Sequence, residues 1–210
     1  MKPEDTGDQR IVLDLLNSVD EDGTRSQRHI AAELGIALGL VNAYLKRCVK
    51  KGLVKVSEAP TRRYAYYLTP QGFSEKSRLT VEYLSSSFSF FRQAKSDCSR
   101  LFEDAKARGI RRIVLSGASD LSEIAILCAV ESGVAIVALV DPRTERARFV
   151  GVPVVSSFEA IQVPFDAVMV TNVARPREAW DEAVQRCGAD RVLVPKLLGL
   201  PACVLNGVLE

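Results

Sequence analysis

Between Phe73 and Arg108 the chain runs 36 residues without a proline or a glycine. Apolar residues recur at Phe73, Leu79, Tyr83, Leu84, Phe88, Phe91, Ala94, Cys98, Leu101, Phe102 and Ala105, mostly at steps of three and four. That spacing predicts one long amphipathic helix, or two helices broken near Ser85-Ser86-Ser87. A helix of that length has more surface than its own small domain can cover. Residues 73–109 are therefore expected to serve as a linker and as a dimerisation helix. They divide the 210 residues into flanking parts, 1–72 and 110–210, whose textures differ.

Charge separates the parts as well. The whole chain carries only +2, yet residues 25–80 hold 11 Lys/Arg against 3 Asp/Glu, while residues 1–24 hold 2 against 7. A basic block of this kind is the footprint of a module that meets a polyanion. Within it the pattern is helix, turn, helix, two-stranded wing. Gln9 to Val19 has helical spacing and is broken by Asp22-Gly23-Thr24. Thr24 or Ser26 can cap a helix from Gln27 to Leu34, and Gly35 ends it because glycine takes the left-handed position cheaply. A third helix is expected from about Leu38 to Lys51, stopping at Gly52. Leu53–Val56 and Tyr64–Leu68 read as strands around the basic loop Glu58–Arg63.

This layout points to double-stranded DNA as partner, with the third helix entering the major groove. Val41, Leu45 and Cys48 are its expected core face. Leu38, Gly39, Asn42, Ala43, Lys46 and Lys50 then face outward. Asn42 can pair bidentately with adenine, Ala43 can touch a thymine methyl, and Lys46 can reach guanine or a phosphate. Gln27, Arg28 and the wing residues Arg62 and Arg63 are expected to contact backbone or minor groove. His29, the one histidine, can pair with Glu33 one turn on. Tyr64 and Tyr66 are expected to pack in core and wing. Ser26–Thr80 resembles the MarR-like winged-helix regulators, in particular a branch associated with exopolysaccharide gene clusters. The carrying residues are Ser26-Gln27-Arg28, Ala31–Ile36, Val41-Asn42, Leu45-Lys46, Lys51–Lys55 and Tyr67–Gly72 with Glu75-Lys76. The resemblance implies DNA binding as a homodimer through long helices. Ala37 departs from it, standing where a Ser or Thr cap is usual.

After Gly109 strands and helices alternate: Arg112–Ser116, a helix Asp120–Glu131, Val134–Val140, Val152–Val155, a brief helix Ser157–Ile161, Asp166–Val170, a helix Arg175–Cys187 and Arg191–Val194. Several strands are continuous apolar runs, so the expectation is a small α/β Rossmann-like domain whose five-stranded parallel sheet is covered on both faces. Ligands of such sheets sit at the carboxyl ends of the strands. The expected ligand residues are Gly117, Ala118 and Ser119 in the first turn, Asp141 and Arg143 after the second strand, and Thr171, Asn172 and Lys196 after later ones. Against the dinucleotide fingerprint G-x-G-x-x-G only Gly117 matches, Ser119 and Ser122 replacing the other two glycines. Asp141 can hold a ribose or simply end a strand.

Ile113–Ala118, Ala138–Pro142, Gly151–Val154 with Ser157–Glu159, and Asp166–Thr171 make this half similar to nucleotide-sugar-binding domains that precede sugar acyltransferases and epimerases. It is also similar to redox-sensing repressors that join a winged helix to an NAD-binding domain. The resemblance implies a nucleotide or nucleotide-sugar effector and no required cofactor. No nucleophile elbow, P-loop, metal spacing or acid/base pair occurs, so the expectation is a regulator, not an enzyme. The alternative is an enzyme or scaffold of sugar-nucleotide metabolism carrying a winged-helix interaction module. Five cysteines without a C-x-x-C pair read as reduced core thiols. With no signal peptide and no apolar run near 20 residues, the expected location is the cytoplasm, away from the membrane.

Overall fold

The computed structural model describes the backbone of residues 3–59 and 63–200, and the side chains of 7–58 and 64–200. The described residues fall into two compact units, one up to Phe88 and one from Ser89.

The first unit contains α1 (Pro3–Glu21), α2 (Gln27–Leu34), α3 (Leu38–Lys50), the antiparallel pair β1 (Val54–Ala59) and β2 (Arg63–Leu68), and the first half of α4 (Pro70–Ala107). Ser26, not Thr24, caps α2, its hydroxyl accepting the His29 amide, while Thr24 closes a turn on Asp22. Gly35 sits at φ 65° and ends α2 as expected. Ala37 precedes α3 without a side-chain cap. Leu15, Leu16, Ile30, Val41, Leu45 and Cys48 form the centre of the core, closed from the wing by Val54 and Tyr66. Tyr64, expected to pack, is instead exposed, and so is Tyr67. The register places Tyr64 opposite Glu58, three residue pairs beyond Tyr67–Lys55 and past the edge of the helical core.

The long helix begins at Pro70, three residues before Phe73. The Thr69 hydroxyl accepts the Gly72 amide and donates to the Gly52 carbonyl, so it caps α4 and ties it to the end of α3. Proline at the first helical position suits that cap. α4 is unbroken through Ser85–Ser87. Its burial is discontinuous. Leu79 joins the first core, Ala94, Cys98, Phe102 and Ala105 join the second, and Val81, Leu84, Phe88 and Phe91 between them are exposed.

The second unit is an α/β domain with a mostly parallel sheet. Its strands are β3 (Arg112–Ser116), β4 (Ala135–Val140), β5 (Arg148–Phe149), β6 (Val152–Val155), β7 (Ala167–Val170) and β8 (Val192–Leu193), in the order β5-β6-β4-β3-β7-β8. The sheet thus has six strands rather than five. The five expected strands are present and parallel; the addition is β5, which pairs antiparallel with β6 at the edge. It escaped sequence reading because it is two residues long and its hairpin turn is Val150-Gly151, with both φ values positive, 47° and 82°. Such turns ordinarily announce themselves as Asn-Gly. α5 (Asp120–Ser132) packs with α4 over Ile113, Leu115, Leu139 and Met169. α6 (Pro176–Cys187) covers the opposite face, Val114, Val140, Val168 and Val170. Alternate residues of one strand entering different cores account for the continuous apolar runs. Among the described residues no helix is long and apolar enough to cross a membrane.

Candidate nucleic-acid interface

α3 owes its outward face to what its inward face buries. Val41, Tyr44, Leu45 and Cys48 are buried. This leaves Leu38, Gly39, Ala43, Lys46 and Lys50 exposed and Asn42 half-buried. Tyr44 extends the expected core face for a polar reason. Its hydroxyl donates to the Asp8 carboxylate, which also holds Arg47 at 2.8 Å. Both hydrogen bonds, the Tyr44 one first, hold the Asp8 carboxyl below the usual carboxylate range. Asp8 therefore anchors the middle and the last turn of α3 to α1.

Ion pairing sorts the cations of the basic block. Arg25 is held by Glu21 and Glu33, Arg47 by Asp8, Lys76 by Asp20, and Arg78 by Glu75 and Glu82. The acidic residues 1–24 supply much of this internal counter-charge. Among the described residues Arg28, Lys46, Lys50, Lys51 and Lys55 have no ion-pair partner, and all are exposed. A cation without an internal partner is the one whose counterions a phosphate can displace. His29 is exposed and does not pair with Glu33, which the Arg25 guanidinium and the Ser18 hydroxyl occupy. Gln27 is half-buried and its amide nitrogen donates to the Tyr66 hydroxyl at 2.8 Å, joining α2 to the wing. Arg62 lies outside the described residues, as does the side chain of Arg63, whose backbone opens β2. Burial pushes the Cys48 thiol up to about 11, so it stays protonated behind the helix at neutral pH.

The second set of expected residues lies at the carboxyl edge of the parallel sheet. Strand order reverses between β3 and β7, and there Gly117 and Asn172 meet. Gly117, Ala118, Ser119, Asp141, Thr171 and Asn172 share this edge, and their polar groups are engaged with one another. The Ala118 and Arg143 amides donate to the two oxygens of Asp141, at 2.8 and 2.9 Å. Ser119 donates to the Thr171 carbonyl and Thr171 to the Gly117 carbonyl, each at 2.6 Å. Ser119 and Ser122 form a reciprocal cap on α5, which uses the Ser119 and Leu121 amides. Asn172 accepts the Arg175 amide. Lys196 is exposed in a short turn after β8 and makes no bond to the rest of the group. Gly117, at φ 104°, would place an added Cβ 2.5 Å from Asn172 Cβ, so its glycine lets two loops close on each other.

Residues 8–55 match the winged helix-turn-helix DNA-binding family. No curated protein matches the chain. The match spans most of α1 through the start of β1, the segment that carries the buried face of α3 and the unpartnered Arg28, Lys46, Lys50, Lys51 and Lys55. The first unit is a winged helix-turn-helix DNA-binding domain. It supports reading the chain as a DNA-binding regulator.

Proposed function

We propose that the chain is a homodimeric transcriptional regulator of the MarR-like kind. α3 reads base edges through Asn42, Ala43 and Lys46, while Arg28, Lys50 and the wing arginines Arg62 and Arg63 hold the phosphate backbone. The observation that carries this is the outward face of α3, where the unpartnered Lys46 and Lys50 follow Asn42 at four-residue steps while the neighbouring Arg47 is held by Asp8. The exposed stripe Val81, Leu84, Phe88 and Phe91 on α4, at alternating steps of three and four, has the spacing of a helix–helix seam and supports the dimer. Resemblance of Ser26–Thr80 to the exopolysaccharide-associated branch supports cell-surface polysaccharide genes as targets.

The test is selection of a preferred duplex from a random pool by the full chain, followed by titration of variants. Lys46→Ala and Asn42→Ala should each weaken the preferred duplex by about 1–3 kcal/mol, the value of a specific base contact. Both variants binding that duplex like the parent would overturn the reading.

The α/β domain is proposed as the regulatory half, taking a nucleotide-like effector at the carboxyl edge of its sheet. Convergence of the Gly117–Ser119 turn, Asp141 and Thr171 at the strand-order reversal supports this location. An anionic group entering there has to displace Asp141 from the Ala118 amide. Thermal shift with nucleotide sugars, NAD and coenzyme A tests it. A shift that Asp141→Ala alters supports the effector; silence across the panel leaves the domain a scaffold.

A further inference from the structure

α5 is apolar on two faces. Leu121, Ala125, Cys128 and Ala129 are buried against the sheet and α4, yet Leu127 is 55% and Val130 78% exposed on the far side. A helix that is hydrophobic all round is ordinarily covered all round. Beside these two residues Phe91 of α4 is also exposed, and between the helices runs a groove of about 310 Å³. Its rim carries one cation and one anion, Lys95 and Glu131, 2.9 Å apart.

We infer that this face docks a second copy of the chain. The inference rests on the dimeric reading above and assigns that dimer a contact surface within the α/β domain. Two features select a copy of itself as the occupant. The patch holds a groove and, as one of its walls, the ridge of Leu127 and Val130, so a two-fold axis can set each ridge in the other's groove; an isologous contact needs such self-complementarity. The rim is self-complementary in charge too, since the same rotation brings Lys95 of one copy to Glu131 of the other. A rim of a single sign would repel its own copy.

The experiment is sedimentation equilibrium of the full chain over a wide concentration range, with and without added salt. Leu127→Glu/Val130→Glu changes two exposed positions and should raise the dimer dissociation constant at least about tenfold, a 1.4 kcal/mol change. Val163→Glu, at another exposed apolar residue, should leave it unchanged. Circular dichroism checks that each variant is folded. Should the double variant fail that check, Lys95→Glu replaces it: the rim becomes wholly acidic, so association should weaken and recover with salt. A parent that dimerises while folded variants dimerise equally well overturns this surface and leaves the dimer standing. A parent that is monomeric throughout overturns both.

Discussion

Two glycines inside helices show how differently one missing methyl group can act. An added Cβ at Gly72 would lie 2.1 Å from the Leu53 carbonyl oxygen, in rigid backbone at the start of α4. At Gly39, on the outward face of α3, nothing of the protein lies within 4 Å. Helix propensity alone favours alanine at both positions. At Gly72 the backbone clash outweighs propensity, and Gly72→Ala should cost about 1–3 kcal/mol, the usual range for overpacking. At Gly39 propensity is unopposed, and Gly39→Ala should stabilise the fold by about 0.5–1 kcal/mol. Because that face approaches DNA in the proposed function, the same substitution should weaken binding. Urea unfolding and duplex titration read the two effects separately. Gly117 belongs with Gly72: its positive φ and the nearby Asn172 backbone make Gly117→Val a packing lesion, unsuited to probing a ligand.

At the scale of elements, legibility followed sequence distance. Helix ends set by neighbours, such as Ser26 and Gly35 around α2, could be read within a residue or two because capping is local chemistry. Sequence spacing starts α4 three residues too late, because Gly72 reads as a breaker apart from its Thr69 cap and the adjacent Leu53 carbonyl. The outward residues of α3 followed from periodicity. Periodicity does not reveal which cations are tied inward, since Asp8 and Arg47 are 39 positions apart. Nor does it reveal that the polar groups at the sheet's carboxyl edge would bond one another, which depends on loops from three strands meeting. The Asp8 anchor makes a pH-dependent prediction. Its two hydrogen bonds hold the carboxyl below the ordinary aspartate value of 3.8, so its stabilisation is present above that value and is lost as pH falls through the lower folded value. Asp8→Asn should therefore destabilise the protein at pH 7, and the gap from the parent should narrow as pH falls below 3.8. Denaturant midpoints measured across that range provide the check; a gap that is constant with pH would place the anchor's worth elsewhere.

For the whole molecule the useful quantity is the charge that remains after the fold has paired its own. The near-neutral total conceals a strongly basic block, and much of that block is answered by carboxylates of α1 and α4. Binding to duplex DNA should therefore depend on salt less steeply than the sequence count of basic residues suggests. Each phosphate neutralised contributes about −0.9 to the slope of log K against log salt. Arg28→Ala and Lys50→Ala, removing cations without internal partners from the proposed backbone contacts, should each flatten that slope by about 1 for every copy of the residue that meets a phosphate. Arg25→Ala removes a cation already shared by Glu21 and Glu33, so the slope should hardly change while stability falls. Titrations of a fixed duplex at several salt concentrations measure these slopes directly. Equal flattening by the paired Arg25 and the unpaired cations would mean that the fold's ion pairs open on binding, and that the acidic α1 is a competitor for the DNA surface instead of a fixed support behind it.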